Sequence, residues 1–399
     1  MARPKIAAVT TAYFKLSHAQ HIVDRFLDGY GWNGEWHQPP MDLVSLYVDQ
    51  FLDGARSDLS HERATRHPSM KIYPSIAEAL TLGGTKLAVD GVVIVGEHGQ
   101  YPRNEKGQTE YPRYRFFQEV VKVFRTSGRS VPIYTDKHFS WNWDWAREMY
   151  DTSRQMGFPM MAGSSLPVTW RSPSVEMPWG ARISEVLCIN NGAVDSYDFH
   201  ALETIQCLVE RRRGGEAGVE WLQAYRGEKF WQALRERVWP KALMDAALSR
   251  SSTLTQGRPD YGDAFPSLDD MRRMVRRPVA YRYQHADGLK CTMLLLDGLV
   301  KDCNFAAYVN GASKPWSVQM TFTVPDGFHT MASSFSPLVN HMERMFLTGK
   351  PSYPVERTLL TTGLVAAGVE SLYRGETRFD TPHLAIGYQP SKESTYWRT

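Results

Sequence analysis

The chain has 399 residues, 42% hydrophobic and 22% charged, with 46 basic against 43 acidic side chains and a formal charge of +3. That length exceeds one ordinary core and suits two domains, and the composition is that of a folded globular protein, not a disordered one. So balanced a charge gives no bulk attraction to nucleic acid, and no run approaches 18 apolar residues, so neither a nucleic-acid partner nor a membrane span is expected.

The first strand begins almost directly after Met1, at Ile6–Val9, with no apolar leader of the signal-peptide kind. A helix follows over His18–Leu27, with Ile22, Val23, Phe26 and Leu27 at helical spacing and Ser17 as N-cap. Strands at Leu43–Val48, Val89–Val95, Val131–Tyr134 and Pro159–Ala162 alternate with helices at Ile76–Leu82, Phe116–Phe124 and Trp143–Met156. Alternation of this kind predicts a mostly parallel sheet with right-handed crossovers. After Pro167 the pattern changes. A strand at Ser184–Ile189, a helix at Phe199–Val209, a strand at Trp221–Arg226 and one helix over Phe230–Ser249 lead to a turn-rich loop, Ser251–Pro266. Four strand-like runs follow without a helix between them: Val279–Tyr283, Lys290–Leu296, Cys303–Val309 and Ser317–Val324. They predict an open, largely antiparallel sheet, and Val355–Tyr373 closes the chain as a helix. The expected fold is therefore α/β: a Rossmann-like parallel-sheet domain over 1–165, then an α+β domain over 166–399. Cys188, Cys207, Cys291 and Cys303 form no C-x-x-C pair and suit a reducing, cytoplasmic setting. The arginines 211–213, 272–273 and 276–277 read as solvated helix ends.

In a parallel sheet, ligands bind beyond the carboxyl ends of the strands. Four such ends carry Thr10–His18, Asp49, Glu97-His98 and Asp136-Lys137-His138. Thr10, Thr11, Asp49 and Glu97 are the candidates to face a cofactor. In the second domain Asp198 precedes His200 and Glu203, which lie one turn apart on one helix face. Imidazoles beside carboxylates also suit a divalent metal, with His18, His98 and His138 as candidate ligands, although no H-x-x-x-H or H-E-x-x-H spacing forces that reading. His18 and His21 are one turn apart. Trp141, in the run Phe139–Trp145, offers a face for a sugar ring, and Asp198 and Arg171 are further substrate-contact candidates. The polar segment 101–113 is long for a strand-to-helix connection, and Arg103 and Arg113 in it read as surface arginines able to clamp an acidic group.

The order of elements, Asp136-Lys137-His138 at the fourth strand end, His200-Ala-Leu-Glu203 opening a helix, and Pro354-Val-Glu-Arg357 before the closing helix resemble the Gfo/Idh/MocA family of sugar-acting oxidoreductases. The resemblance implies Glu-Lys-Pro and His-x-x-Asp motifs at the first two places. It implies that Lys137 positions a sugar hydroxyl, that His200 takes its proton, that Glu203 orients His200 or binds substrate, and that NAD or NADP carries the hydride. It also implies that these positions converge on one cleft, a carbohydrate-like small-molecule substrate and a homo-oligomer. The chain departs from the family in its first turn, which reads Thr-Thr-Ala-Tyr-Phe-Lys-Leu-Ser-His over 10–18, without one glycine of the G-x-G-x-x-G fingerprint. Two other readings stay open: a metal-dependent lyase or hydrolase on the same scaffold, and a non-catalytic ligand-binding protein.

Overall fold

The computed structural model describes residues 2–255, 265–321 and 334–397, and these fall into two compact units divided after Ser165. The first unit holds, in chain order, β1 (Lys5–Thr10), α1 (His18–Asp28), β2 (Tyr30–Trp32), β3 (Glu35–His37), β4 (Asp42–Val48), α2 (Ser60–Arg66), β5 (Lys71–Ile72), α3 (Ile76–Thr81), β6 (Gly91–Val95), α4 (Arg113–Ser127), β7 (Ile133–Asp136), α5 (Trp143–Met156) and β8 (Met160–Gly163). Six of the strands form one parallel sheet in the order β5-β4-β1-β6-β7-β8, while β2 and β3 pair as a hairpin. Continuous apolar runs mark strands covered on both faces. Accordingly Ile6–Val9 and Val92–Val95 are fully buried. The helices start where the chain supplies a cap: Ser17, Ser75 and Asn142 each accept a hydrogen bond from a first-turn backbone N–H.

The second unit begins with β9 (Arg171–Ser172), β10 (Ile183–Asn190), α6 (Tyr197–Val209), β11 (Glu216–Ala217), β12 (Val219–Arg226), α7 (Gly227–Arg235), α8 (Lys241–Leu248) and α9 (Leu268–Met274). It continues through β13 (Val279–His285), β14 (Lys290–Leu295), β15 (Cys303–Val309) and β16 (Trp316–Met320). The chain then returns to the first unit with α10 (Phe335–Thr348). Helix α11 (Glu356–Tyr373) starts in the first unit and ends in the second, and β17 (Phe379–Asp380) and β18 (Gly387–Tyr388) follow. The large sheet has the order β17-β12-β13-β14-β10-β15-β16-β9; only β10 and β14 run parallel. A smaller pair joins β11 to β18. Trp239, fully buried among Phe230, Leu243, Ala247, Leu187 and Leu294, centres the core between α7, α8 and this sheet.

Three expectations change. Residues 334–359 belong with the parallel sheet, although an uninterrupted 166–399 domain would have placed them in the second unit. The helix expected over Phe230–Ser249 is two helices, because Pro240 has no N–H to continue the first and instead stands at the start of α8. Arg211 and Arg212 are buried, not solvated, and Arg212 pairs with Glu216 and Asp287. Most of the loop expected at Ser251–Pro266, and the end of the strand expected at Ser317–Val324, lie outside the described residues. All four cysteines are free and buried. Among the described residues no helix is long and apolar enough to cross a membrane.

Candidate functional site

The carboxyl ends of β1, β6 and β7 carry a dense group of polar side chains. Strand β6 gives way to Gly96, Glu97 and His98, and β7 to Lys137 and His138. A Cβ on Gly96 would lie 2.4 Å from Cγ of Arg113. The missing side chain therefore lets Arg113, the first residue of α4, lie across the strand end, where it is 1% exposed. Its Nη2 donates to Glu97 Oε2 at 2.9 Å, and its Nη1 lies 3.0 Å from His138 Nε2. Lys137 Nζ stands 3.7 Å from the other Glu97 oxygen. Burial alone would raise the Glu97 pKa, but Lys137 and Arg113 outweigh it and hold the carboxyl well below the usual range. Burial, reinforced by Arg113, pushes the His138 pKa far down, so its ring is neutral and Nε2 accepts from the guanidinium.

Backbone strain marks the same place. Lys137 has φ +65°, His98 φ +71° and Leu16 φ +66°, a left-handed conformation that costs a non-glycine residue about 1–2 kcal/mol. Lys137 is held there by its N–H, which donates to Gly163 O at 3.2 Å, closing β7 onto β8. His18, the first residue of α1, places Nδ1 2.7 Å from Asp136 Oδ2. Its ring meets those of His98 and Phe335 edge-on, at 5.6 and 5.0 Å between centroids, and Phe335 stacks on His21 at 4.9 Å. Burial lowers the His21 pKa to about 3 and the His98 pKa to about 4.

The phosphates of a dinucleotide would lie against the first turn. There Tyr13 is buried with its hydroxyl on Asp24, and its carbonyl accepts from Leu59 N. Phe14 N donates to Ser17 Oγ at 3.2 Å and Leu16 N to Gln20 Oε1 at 2.6 Å. Thr10 and Thr11 are fully buried; their hydroxyls donate to Tyr47 O and Glu97 O. Asp49 Oδ1 receives Tyr47 and Arg115, and Oδ2 receives Tyr101. These three donors outweigh partial burial and hold the Asp49 carboxyl below its usual range. The turn thus spends on itself donors that a pyrophosphate would need, and the carboxylate placed for a ribose is already satisfied. As built, it does not fit the phosphate cradle of a G-x-G-x-x-G turn.

The metal reading is corrected. Among the described residues no group of three or more His, Cys, Asp or Glu side chains is placed to hold a metal ion. His138 faces a guanidinium and His18 a carboxylate, so the three candidate histidines do not form one donor set. Trp141 is half-buried, its ring edge-on to Trp145 at 4.9 Å, while Trp145 stacks on Tyr114 at 4.8 Å.

In the second unit, Asp198 is fully buried at the start of α6. It accepts from Ser196 N, Phe199 N and Tyr281 O–H, and burial raises its pKa despite these bonds. His200 is 9% exposed beside Tyr197 and Phe199. Glu203 is buried and accepts from Thr361 O–H at 2.6 Å. Arg171 is buried against Glu176 at 2.5 Å and the Tyr396 ring at 4.2 Å. Sequence reasoning undervalued Arg113 and Asp136. Pro112 just before α4 was the available signal that Arg113 opens a helix pointing at the strand ends.

No family model matches the sequence, and neither does any curated protein. Solved structures do match in fold. GenD2 from gentamicin A biosynthesis, solved with NAD, has a TM-score of 0.59 at 11% identity, covering 96% of this chain and 97% of that one. The myo-inositol dehydrogenase of Lactobacillus casei, solved with NAD(H) and myo-inositol, has a TM-score of 0.53 at 11% identity over 95% and 97%. A Gfo/Idh/MocA family oxidoreductase of Vibrio cholerae has a TM-score of 0.52 at 13% identity over 93% and 99%. The chain has the two-domain fold of these oxidoreductases.

Proposed function

We propose that this chain is an oxidoreductase acting on a sugar, a polyol or a related hydroxylated small molecule. The observation that carries this reading is Lys137, buried at the end of the fourth parallel strand against Glu97 and held in a left-handed backbone. An ammonium group fixed there donates hydrogen bonds to a substrate hydroxyl, and Glu97 supplies the counter-charge that keeps it cationic in a buried place. NAD or NADP is the hydride carrier we extend to this chain from the cofactors solved with its fold relatives, GenD2 and the L. casei enzyme. Because the first turn does not fit the usual phosphate cradle, no chemical step is derived through it. His200 as a second proton-handling group rests on the resemblance, as does homo-oligomerisation.

The first turn favours a second reading, a non-redox enzyme that moves protons on the same class of substrate. Titration with NAD(H) and NADP(H), following tryptophan fluorescence, separates the two. Saturable binding, with polyol-dependent NADH formation lost about 10²–10⁴-fold in Lys137→Met, is the expected result. No binding at millimolar dinucleotide would leave only the proton-transfer reading. His200→Ala tests the second group in the same assay.

A further inference from the structure

An imidazole occupies the place that a glycine-rich turn gives to phosphate. His18 stands where β1 passes into α1, anchored through Nδ1 to Asp136 at the end of β7. Its side chain keeps 16% of its surface exposed, and Nε2 makes no hydrogen bond within the described residues. Asp136 is buried, so its carboxylate fixes the proton on Nδ1 and leaves Nε2 as the nitrogen with an available lone pair. Next to it, His98 Nε2 is buried without a hydrogen-bond partner, and so is His21 Nδ1. Buried polar atoms of this kind are rare and call for an explanation. A ligand bearing hydroxyl groups supplies one, since each hydroxyl can donate to a neutral ring nitrogen.

We propose that His18, positioned by Asp136, is a general acid–base group that takes a proton from a ligand hydroxyl or water bound beside His98. The O–H bond of the ligand breaks as N–H forms at His18 Nε2. The resulting imidazolium is stabilised by Asp136, and the proton returns to the leaving oxygen or to water in the second half of the reaction. His18 is the catalytic residue in this assignment and Asp136 a positioning residue. The charged and titratable groups around the pair are Glu97, His98 and Lys137 from the strand ends and His21 and Arg25 from α1. The proposal deepens the proposed function in substrate class, through the hydroxylated ligand, and needs no hydride carrier.

The test uses the full-length protein and p-nitrophenyl acetate, whose hydrolysis by water under general-base or imidazole catalysis releases p-nitrophenolate and acetate. The wild type should accelerate hydrolysis, and His18→Gln should lose about 10²-fold of the acceleration at unchanged circular dichroism. ¹⁵N-histidine NMR gives a readout that a merely structural role would not move. His18 should be protonated on Nδ1 in the wild type, and Asp136→Asn should remove that preference and slow hydrolysis. Unchanged hydrolysis in His18→Gln, or an unchanged tautomer in Asp136→Asn, overturns the dyad. If His18→Gln does not fold, the Asp136→Asn spectrum and rate decide alone. Failure of NAD(H) to bind leaves this result untouched, so the two proposals fail separately.

Discussion

Two buried ion clusters, one in each unit, solve the same electrostatic problem by different means. In the second unit Glu216 accepts from Arg212, His285, Gln206 and the backbone N–H groups of Ala217 and Gly218. The tight turns around it are made by Gly214, Gly215 and Gly218, all at positive φ. In the first unit Glu97 is shared by Arg113 and Lys137, but the left-handed positions there are held by His98, Lys137 and Leu16. Where only shape is required, glycine takes the strained backbone at no steric cost. Where a side chain must stand at that point, the strain is retained and offset by surrounding contacts. The Glu216 cluster therefore reads as architecture and the Glu97 cluster as a site.

The largest expected effect breaks or confirms the architectural half. Glu216→Gln leaves His285 and Arg212 buried with less counter-charge, which should lower unfolding free energy by about 3–5 kcal/mol in urea titrations. Burial lowers the His285 pKa, but Glu216 outweighs it and raises it to about 9. A raised histidine contributes stability that is fully present below its unfolded value of about 6.5 and is lost as pH rises through about 9. Wild-type stability should therefore decline between pH 6.5 and 9, and the variant should lack that decline. A cost below about 1 kcal/mol with an unchanged pH slope would erase the distinction between the clusters.

The site half has the opposite pH signature. His21 and His98 are buried neutral, with pKa values lowered to about 3 and about 4, chiefly by desolvation. Between these values and about 6.5 the unfolded chain binds protons that the folded one does not, so stability is full above about 6.5 and falls as pH drops toward 4. His21→Phe, which keeps a ring against Phe335, should flatten part of that fall. Unfolding followed at pH 7, 5.5 and 4.5 checks this; an identical slope in the variant would place the acid sensitivity elsewhere.

These contrasts also show what the amino-acid pattern reveals. Parallel strands such as Ile6–Val9 and Val92–Val95 are legible because both faces are covered and the apolar run is unbroken. Lys137, Glu97, His18 and His98 stand out because strand ends are where such sheets place ligands. Their partners do not stand out. Arg113 reads as a surface arginine until Gly96, in another segment, is seen to make room for it. Arg212 reads as part of a solvated basic run until β13 brings His285 and the adjoining turn brings Asp287 to the same network. The return of α10 to the first sheet is equally silent, since its apolar face looks the same whichever sheet it covers; only the packing of Phe346 on Gly91 distinguishes them. Local chemistry is written in the sequence, while pairing over long separations is a property of the fold.

The smallest effect is the sharpest test of the strain argument. At φ +71° an alanine in place of His98 keeps a Cβ in the left-handed region, whereas a glycine does not. Glycine also loses more freedom on folding, by roughly 0.5–1 kcal/mol, which works against it. At an ordinary position His98→Gly would thus be the less stable variant. At a strained one the order inverts, because relief of about 1–2 kcal/mol exceeds the entropic loss. His98→Gly should therefore be more stable than His98→Ala by up to about 1 kcal/mol, a difference measurable in paired urea unfolding curves. The same pair of substitutions at a regular buried strand residue such as Val93 should show the ordinary order, alanine above glycine. If His98 follows Val93, the left-handed backbone there stores no strain, and the contrast with the glycine-built turns around Glu216 loses its energetic meaning.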